Sequence, residues 1–350
     1  MSQRQTRKLV KWGSSNTLVM SLPREWTKKN KLTSNDEVQV VENPDGTLLV
    51  IPSTEAVPEQ ASTATIDIRR YSNIEHLKYV IETKYLSGFD IINIASKQPF
   101  TSEEYSYISK IKDQLLGFEI TSKTTNQVTL QDVMSIQQTN VIPMIRVLSR
   151  NVLELIEELI NAFRKNDLKF IEAMLDTVFQ ARTNINKYYL RIVRQLRKGL
   201  QQSFLLVQMG VTVQDIIDMV TYVTALNDVA GNIEAMSRAM QRYSQPENEQ
   251  LKDVAEMLQK IHELLRQATD AFLFKMERDA IEVLTVMPKV IVEKRELENN
   301  LNMQVSTPGG ILIQIVLDAG EKILEATKNI AQAALRRALS SEQRKSQQKA

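Results

Sequence analysis

The 350-residue sequence contains no cysteine. That excludes disulfide bonds and thiolate metal sites, and it favours a reducing, intracellular setting. Histidine is nearly as scarce: His76 and His262 are the only two, and both lie beside charged residues in helical segments, where surface positions are expected. No glycine-rich phosphate loop, nucleophile elbow or His-carboxylate metal motif is present, so the chain offers no catalytic candidate and is not read as an enzyme. No apolar run approaches the about 18 residues of a membrane span, and the N-terminus lacks the apolar stretch of a signal peptide. The expectation is a cytoplasmic protein without membrane insertion. Aromatics at 6% and 10 glycines, set against 13 methionines, lean the composition toward helix.

The charge is unevenly placed. The net charge is only +2, yet Met1–Lys31 carries Arg4, Arg7, Lys8, Lys11, Arg24, Lys28, Lys29 and Lys31 against the single acid Glu25. A local basic cluster of this kind is the electrostatic footprint of phosphate-backbone binding, although a solvated surface has the same composition.

The chain is too long for one ordinary domain, and its pattern changes three times. Leu9–Pro52 alternates short apolar runs with turn residues: Leu9-Val10, then Gly13 to Asn16, Leu18 to Met20, Val38 to Val41, Asn43 to Gly46, and Leu48 to Ile51. This predicts four short strands, with a hairpin turn at Asn43-Pro44-Asp45-Gly46 and a short helix from Pro23 to Asn30. Such a segment is near the lower size limit for an isolated fold, so oligomerisation is expected. Ser53–Thr65 reads as a linker. Residues 64–130 predict a small α/β domain: strand 65–68, helix 73–87, strand 90–94, helix 102–117 and strand 118–121.

Beyond residue 131 nearly everything has a 3.6-residue period. Helices are predicted near 132–165, 167–201, 211–243, 247–276, 278–301 and 309–340. The breaks fall at Asn166-Asp167, Gly210, Gln245-Pro246, Glu277 to Asp279, and Ser306 to Gly310. Pro143 and Pro288 should kink or shorten their helices. Six helices in this order suggest two three-helix bundles, 132–243 and 247–340. An internal match supports the division: Asp228-Val229-Ala230-Gly231-Asn232-Ile233 parallels Glu325-Ala326-Thr327-Lys328-Asn329-Ile330. Ser340–Ala350 reads as a polar, fraying tail.

Two constellations carry chemistry. The first runs Val10-Lys11-Trp12-Gly13-Ser14-Ser15-Asn16-Thr17-Leu18-Val19-Met20-Ser21-Leu22-Pro23-Arg24-Glu25-Trp26, followed by Leu32, Asp36-Glu37-Val38 and Leu48–Pro52. It resembles the AbrB/MazE/SpoVT family, in which a basic strand, a Gly-Ser-like turn, a strand ending in Leu-Pro, a short helix and a closing strand follow in this order. The resemblance implies a swapped-hairpin β-barrel over residues 4–53 that two chains complete, hence a homodimer. It also implies DNA contacts from Arg7, Lys8, Lys11, Arg24, Lys28 and Lys29. Trp12, Leu22, Pro23, Trp26 and Val38 are then core or turn residues. Ser14 stands where some members carry an arginine.

The second constellation is Asp318, Glu321 and Glu325, whose i, i+3, i+7 spacing puts three carboxylates on one stripe of the last helix. Facing inward they would need a hard cation such as Mg, Mn, Fe or Ca; facing outward they form an acidic face paired with Lys322 and Lys328. Glu321-x-x-x-Glu325 before Asn329-Ile330 resembles the acidic motif of the PhoU family, and Thr224-x-x-x-Asp228 before Asn232-Ile233 repeats it with one acid missing. This resemblance, over roughly residues 135–340, implies a divalent or iron-type metal at Glu321, Glu325, Asp228 and Asp318. The second helix has no acid after Asp176, where Gln180, Asn184 and Asn186 follow. Glu293, Glu296 and Glu298 read as solvated charges flanking Lys294 and Arg295.

The combination, mainly α with a β-barrel at one end, resembles fused PhoU-type regulators of archaea. It implies a DNA-binding regulator of phosphate uptake or homeostasis, whose helical region binds metal or a partner and biases the two DNA-binding modules. The alternative is a non-DNA-binding interaction protein that dimerises through the barrel and acts on phosphate-transporter components.

Overall fold

The computed structural model describes every residue except 1–4, 15, 43–45, 53–60, 72, 135–139, 166, 244–247, 302–306 and 348–350. The predicted hairpin turn at Asn43–Asp45, most of the linker and the break at Gln245-Pro246 lie outside the described residues. The chain is mostly helical and divides into two units, residues 1–61 and 62–350.

The first unit contains two antiparallel strand pairs. β1 (Val10–Lys11) pairs β2 (Leu18–Val19), and β3 (Val38–Glu42) pairs β4 (Leu48–Pro52). Between them lies the short helix α1 (Arg24–Lys29). Pro23 sets its start, because a fixed φ of −60° suits a residue whose N–H is not needed. Lys31, at φ 53°, ends it, with the Leu32 N–H closing on the Thr27 carbonyl at 2.9 Å. None of the described residues of this unit is buried.

The second unit begins with an α/β layer. β5 (Thr63–Asp67), α2 (Glu75–Leu86), β6 (Ile91–Ala95), α3 (Ser102–Lys112), β7 (Phe118–Lys123) and β8 (Gln127–Asp132) follow in sequence. The sheet order is β5-β6-β8-β7, with β5 parallel to β6 and the other pairs antiparallel. Alternation decides the faces. Ile66, Ile92, Ile94, Val128 and Leu130 pack with Leu77, Ile81 and Tyr85 of α2 and with Ile108 and Ile111 of α3. Thr65, Asn93, Gln127 and Thr129 point to the other face, where the Thr129 hydroxyl donates to Asn93 Oδ1 at 2.8 Å. α3 starts at a capping box between Thr101 and Glu104. β8 was not expected from the sequence, and Asp132, assigned there to the next helix, ends this strand.

The remaining helices are α4 (Val141–Lys165), α5 (Leu168–Gln201), α6 (Ser203–Met209), α7 (Val213–Arg242), α8 (Asn248–Phe274), α9 (Glu277–Asn300) and α10 (Pro308–Gln347). α4 therefore starts well after residue 132, and Pro143 sits in its first turn, where the missing N–H costs nothing. The short α6 is an addition, closed by Gly210 at φ 65°. The α8–α9 break falls at Lys275 (φ 57°) and Met276, just before the predicted place. Pro288 lies inside α9. α10 begins at Pro308, so Gly309 and Gly310 are helical, and it continues past Ser340.

α4, α5 and α7 pack on one another, as do α8, α9 and α10; the two groups meet where α7 lies on α10 and α4 on α8. Buried positions on α4 recur at Met144, Ile145, Leu148, Val152, Leu155, Ile156 and Leu159, the three-and-four spacing of an amphipathic helix, and one core runs through both groups. Where α7 meets α8, the Tyr222 and Phe272 rings stack at 3.8 Å and 3°, and Tyr222 shares a 2.6 Å hydrogen bond with Ser149 of α4. The internal repeat keeps its burial register. Asp228 and Glu325 are exposed, the next two residues of each copy are buried, and Ile233 matches the buried Ile330.

Candidate functional site

The N-terminal unit presents its basic residues on exposed backbone. The Trp12 N–H donates to the Thr17 carbonyl at 2.9 Å, closing the turn between β1 and β2, and Gly13 at φ 64° allows the reversal. Lys11 lies on β1, Arg7 and Lys8 precede it, and Arg24, Lys28 and Lys29 lie on α1. All six are exposed. Arg7 is engaged by Gln5 at 2.8 Å, and none of the six forms an ion pair among the described residues. Their charge is thus free for an external anion. The same unit exposes large apolar side chains: Trp12 is 69% exposed, Leu48 63%, Leu9 62% and Leu18 59%. Trp12, expected in core or turn, is in the turn; Leu22, Trp26 and Val38 are half-buried.

The carboxylates on the helices take other partners. Asp318 and Glu325 are exposed on α10, and Asp318 accepts from Gln314 Nε2 at 2.8 Å. Glu321 meets Lys294 of α9 at 2.6 Å, and Lys294 also meets Glu298 at 2.7 Å. Lys294 is 1% exposed, so Glu298, expected to be a solvated charge, is half-buried and paired with a buried cation. Burial pulls the Lys294 ammonium down, but its hydrogen bonds to Glu298 and Glu321 outweigh this and raise it. In return Lys294 holds the Glu321 carboxyl below its ordinary value. Asp228 is exposed on α7. Among the described residues no three Asp, Glu or His side chains are grouped to hold a metal ion. The four carboxylates that the resemblance implies as ligands therefore form no such group here.

His262, expected at the surface, is buried on α8 at 8% exposed. It follows Leu258 and Ile261 on the inward face, and burial lowers its pKa.

A buried charge cluster lies elsewhere, on α5. Arg191, Arg194 and Lys198 of α5 reach the α/β layer and are 0%, 0% and 4% exposed. Arg191 Nη1 meets Asp132 at 2.7 Å, Arg194 Nη2 meets Asp132 at 3.1 Å and Asp90 at 3.3 Å, and Lys198 meets Asp90 at 2.7 Å. Further guanidinium bonds run from Arg194 Nη1 to the Tyr85 carbonyl (2.6 Å), from Arg191 Nη2 to that of Met134 (3.3 Å) and from Arg191 Nη1 to that of Leu116 (3.4 Å), while Arg191 Nε is buried with no partner among the described residues. Arg194 also lies over the Tyr85 and Phe118 rings, at 5.0 and 5.1 Å. Gly117, at φ 90°, clears the way, since a Cβ there would stand 2.9 Å from Arg191 Nη1. This cluster ties the α/β layer to the helices.

No described helix is long and apolar enough to cross a membrane. Neither the curated proteins nor the solved structures compared with this chain gave a match. Residues 9–57 match the family described as "Antidote-toxin recognition MazE, bacterial antitoxin", so the N-terminal unit carries a MazE/AbrB-like domain.

Proposed function

We propose that the chain is a DNA-binding regulator that works as a homodimer through its N-terminal unit. The observation that carries this is the set of exposed, ion-pair-free cations Arg7, Lys8, Lys11, Arg24, Lys28 and Lys29 in and beside the MazE/AbrB-like match at 9–57. Dimerisation is supported by the absence of any buried residue among those described in this unit: a fold with its apolar side chains in water lacks the partner surface that would cover them. The finer reading is control of phosphate uptake, with the helical region receiving the signal. Its support is the PhoU-like acidic motif and the repeated burial register of α7 and α10. The description of the matched family favours a second reading, an antitoxin-type regulator that binds a toxin protein as well as DNA.

The test is binding of the full chain to its own promoter and to phosphate-transport promoters across a salt series, beside the Arg7→Ala/Lys8→Ala/Lys11→Ala variant. Neutralised phosphates release counterions, so affinity falls with salt. If a dimer uses all three residues of each protomer, the triple variant lowers the log–log salt slope by about 5. Equal, salt-insensitive retention of both proteins would remove the DNA reading and leave the chain as an interaction protein.

A further inference from the structure

The two histidines of the chain sit in opposite settings: His76 is exposed on α2, and His262 is buried on α8. The α4–α8 contact beside His262 is one of the two places where the three-helix groups meet. Its register follows from three points. Arg164 Nη2 of α4 donates to Gln259 Oε1 of α8 at 3.1 Å, and Glu157 of α4 acts on the charge of His262. Tyr222, hydrogen-bonded to Ser149 of α4, stacks on Phe272 of α8. The two helices therefore run antiparallel, with His262 between the ends of the seam. Its surroundings are apolar: Leu258, Ile261 and Leu265 of α8 share one core with Ile156 and Leu159 of α4. His262 Nδ1 is buried with no hydrogen-bond partner among the described residues, so the ring gives up water there without a bond in return.

The charges that face the ring are few. α4 supplies Glu157, and α8 supplies Glu263 and Arg266, which pair with each other. α9 engages α8 through Glu293 and Lys260 at 2.7 Å. α10 brings Gly320 against Ile261, where a Cβ would stand 3.1 Å from Ile261 Cδ1, and its Arg337 donates to the Phe272 carbonyl at 3.0 Å. Burial disfavours the charged ring and, with Arg266, outweighs Glu157 and Glu263, so the pKa lies below the ordinary 6.5.

We propose that His262 makes the seam between the two three-helix groups acid-sensitive: the neutral ring belongs to the closed seam, and the protonated ring favours an arrangement in which α8 has drawn away from α4 and the ring reaches water. A proton shifts this equilibrium because it binds the open form more tightly. Linkage gives the sign. A base whose folded pKa is depressed has no effect on stability well above about pH 6.5 and destabilises the closed form as pH falls below it. The inference concerns the helical region and does not depend on the DNA-binding reading.

The scarcity of histidine makes the test direct. In the full chain labelled at histidine, NMR titration should give His262 a midpoint below about 6.5, with His76→Gln assigning the signal. Hydrogen exchange, corrected for the intrinsic effect of pH, should compare about pH 7.5 with about pH 5.5, the range in which histidine changes charge. The amides of α4 and α8 should open at least about fivefold more at the lower pH, the lower end of coupling between a ligand and a two-state element. His262→Leu, which removes the proton site, should abolish the rise, and His76→Gln should leave it. His262→Gln repeats the test with a polar neutral side chain, and the wild-type titration and exchange decide if neither variant folds. A rise that survives in the His262 variants would belong to carboxylates such as Asp270, which burial pushes up, and would overturn the proposal. So would a rise spread equally over α2 and α3, or a His262 midpoint at or above about 6.5.

Discussion

Two stripes of charge share the spacing i, i+3, i+7: Arg191, Arg194 and Lys198 on α5, and Asp318, Glu321 and Glu325 on α10. The first is buried against the α/β layer; the second lies at the surface, with only Glu321 held by a neighbouring helix. Spacing gathers side chains onto one face of a helix, but it does not say what that face meets. The counter-charges decide. Asp90 and Asp132, at the start of β6 and the end of β8, offer carboxylates across the interface to α5, whereas α10 receives one lysine from α9. Three buried cations share two carboxylates, and the carbonyls of Tyr85, Leu116 and Met134 take further guanidinium donors.

The sharpest way to break this comparison is to remove Asp132. Asp132→Ala leaves Arg191 and Arg194 buried with carbonyls and Asp90 alone. Losing one partner of a buried ion pair costs about 3–5 kcal/mol. Denaturant unfolding of Asp132→Ala should show that loss, with the α/β layer and the helices released together. A loss under about 1 kcal/mol would mean that water reaches the arginines and that the cluster is not what ties the layers.

Much of this architecture was legible in the sequence. The three-and-four periodicity located the long helices, and Gly210 marked a true boundary because its left-handed backbone suits glycine. The basic start and the Leu22-Pro23 junction pointed to the domain that the family match covers. What escaped was tertiary. In Leu190-Arg191-Ile192-Val193-Arg194-Gln195-Leu196 every residue is buried, yet the arginines look like an ordinary solvated face until Asp90 and Asp132, 59 to 104 positions away, are brought opposite them. β8 is hard to read from the sequence although Val128 and Leu130 alternate, because Thr124-Thr125-Asn126 between β7 and β8 carries no glycine or proline to mark a hairpin turn. His262, expected at the surface, and Glu298, expected to be solvated, depart from the sequence reading because charged neighbours in sequence mask an inward position or a buried partner. The N-terminal unit shows the reverse problem: its apolar positions were readable as core, and in one chain they have no core to enter.

A milder disturbance of the same cluster is acid. Burial pushes the Asp90 carboxyl up, but Lys198 and Ser62 more than offset this and hold it below its ordinary 3.8. A carboxylate depressed in the folded state stabilises above its unfolded value, and that contribution is lost as pH falls through the folded one. Stability should therefore hold down to about pH 4 as far as Asp90 is concerned and decline below it. Asp90→Asn should flatten that decline in a pH series of thermal melts. An equally steep decline in the variant would assign it to other carboxylates.

The smallest effects belong to the exposed stripe, and they separate its members. Asp318→Asn and Glu325→Gln alter side chains that water already solvates, and each should change stability by less than about 0.5 kcal/mol. Glu321→Gln should cost more, up to about 1 kcal/mol, because Lys294 is buried and keeps only Glu298 as a full counter-charge; the 43% exposure of Glu321 caps the value by solvent screening. The ordering carries the argument more than the magnitudes do. If Asp318→Asn or Glu325→Gln destabilised the chain as much as Glu321→Gln, the stripe would be facing something charged that one chain does not provide, and the contrast with α5 would collapse into two buried stripes. If only Glu321 responds, the acidic face is free for an external partner and Lys294 alone sets which of its three carboxylates is committed to the fold.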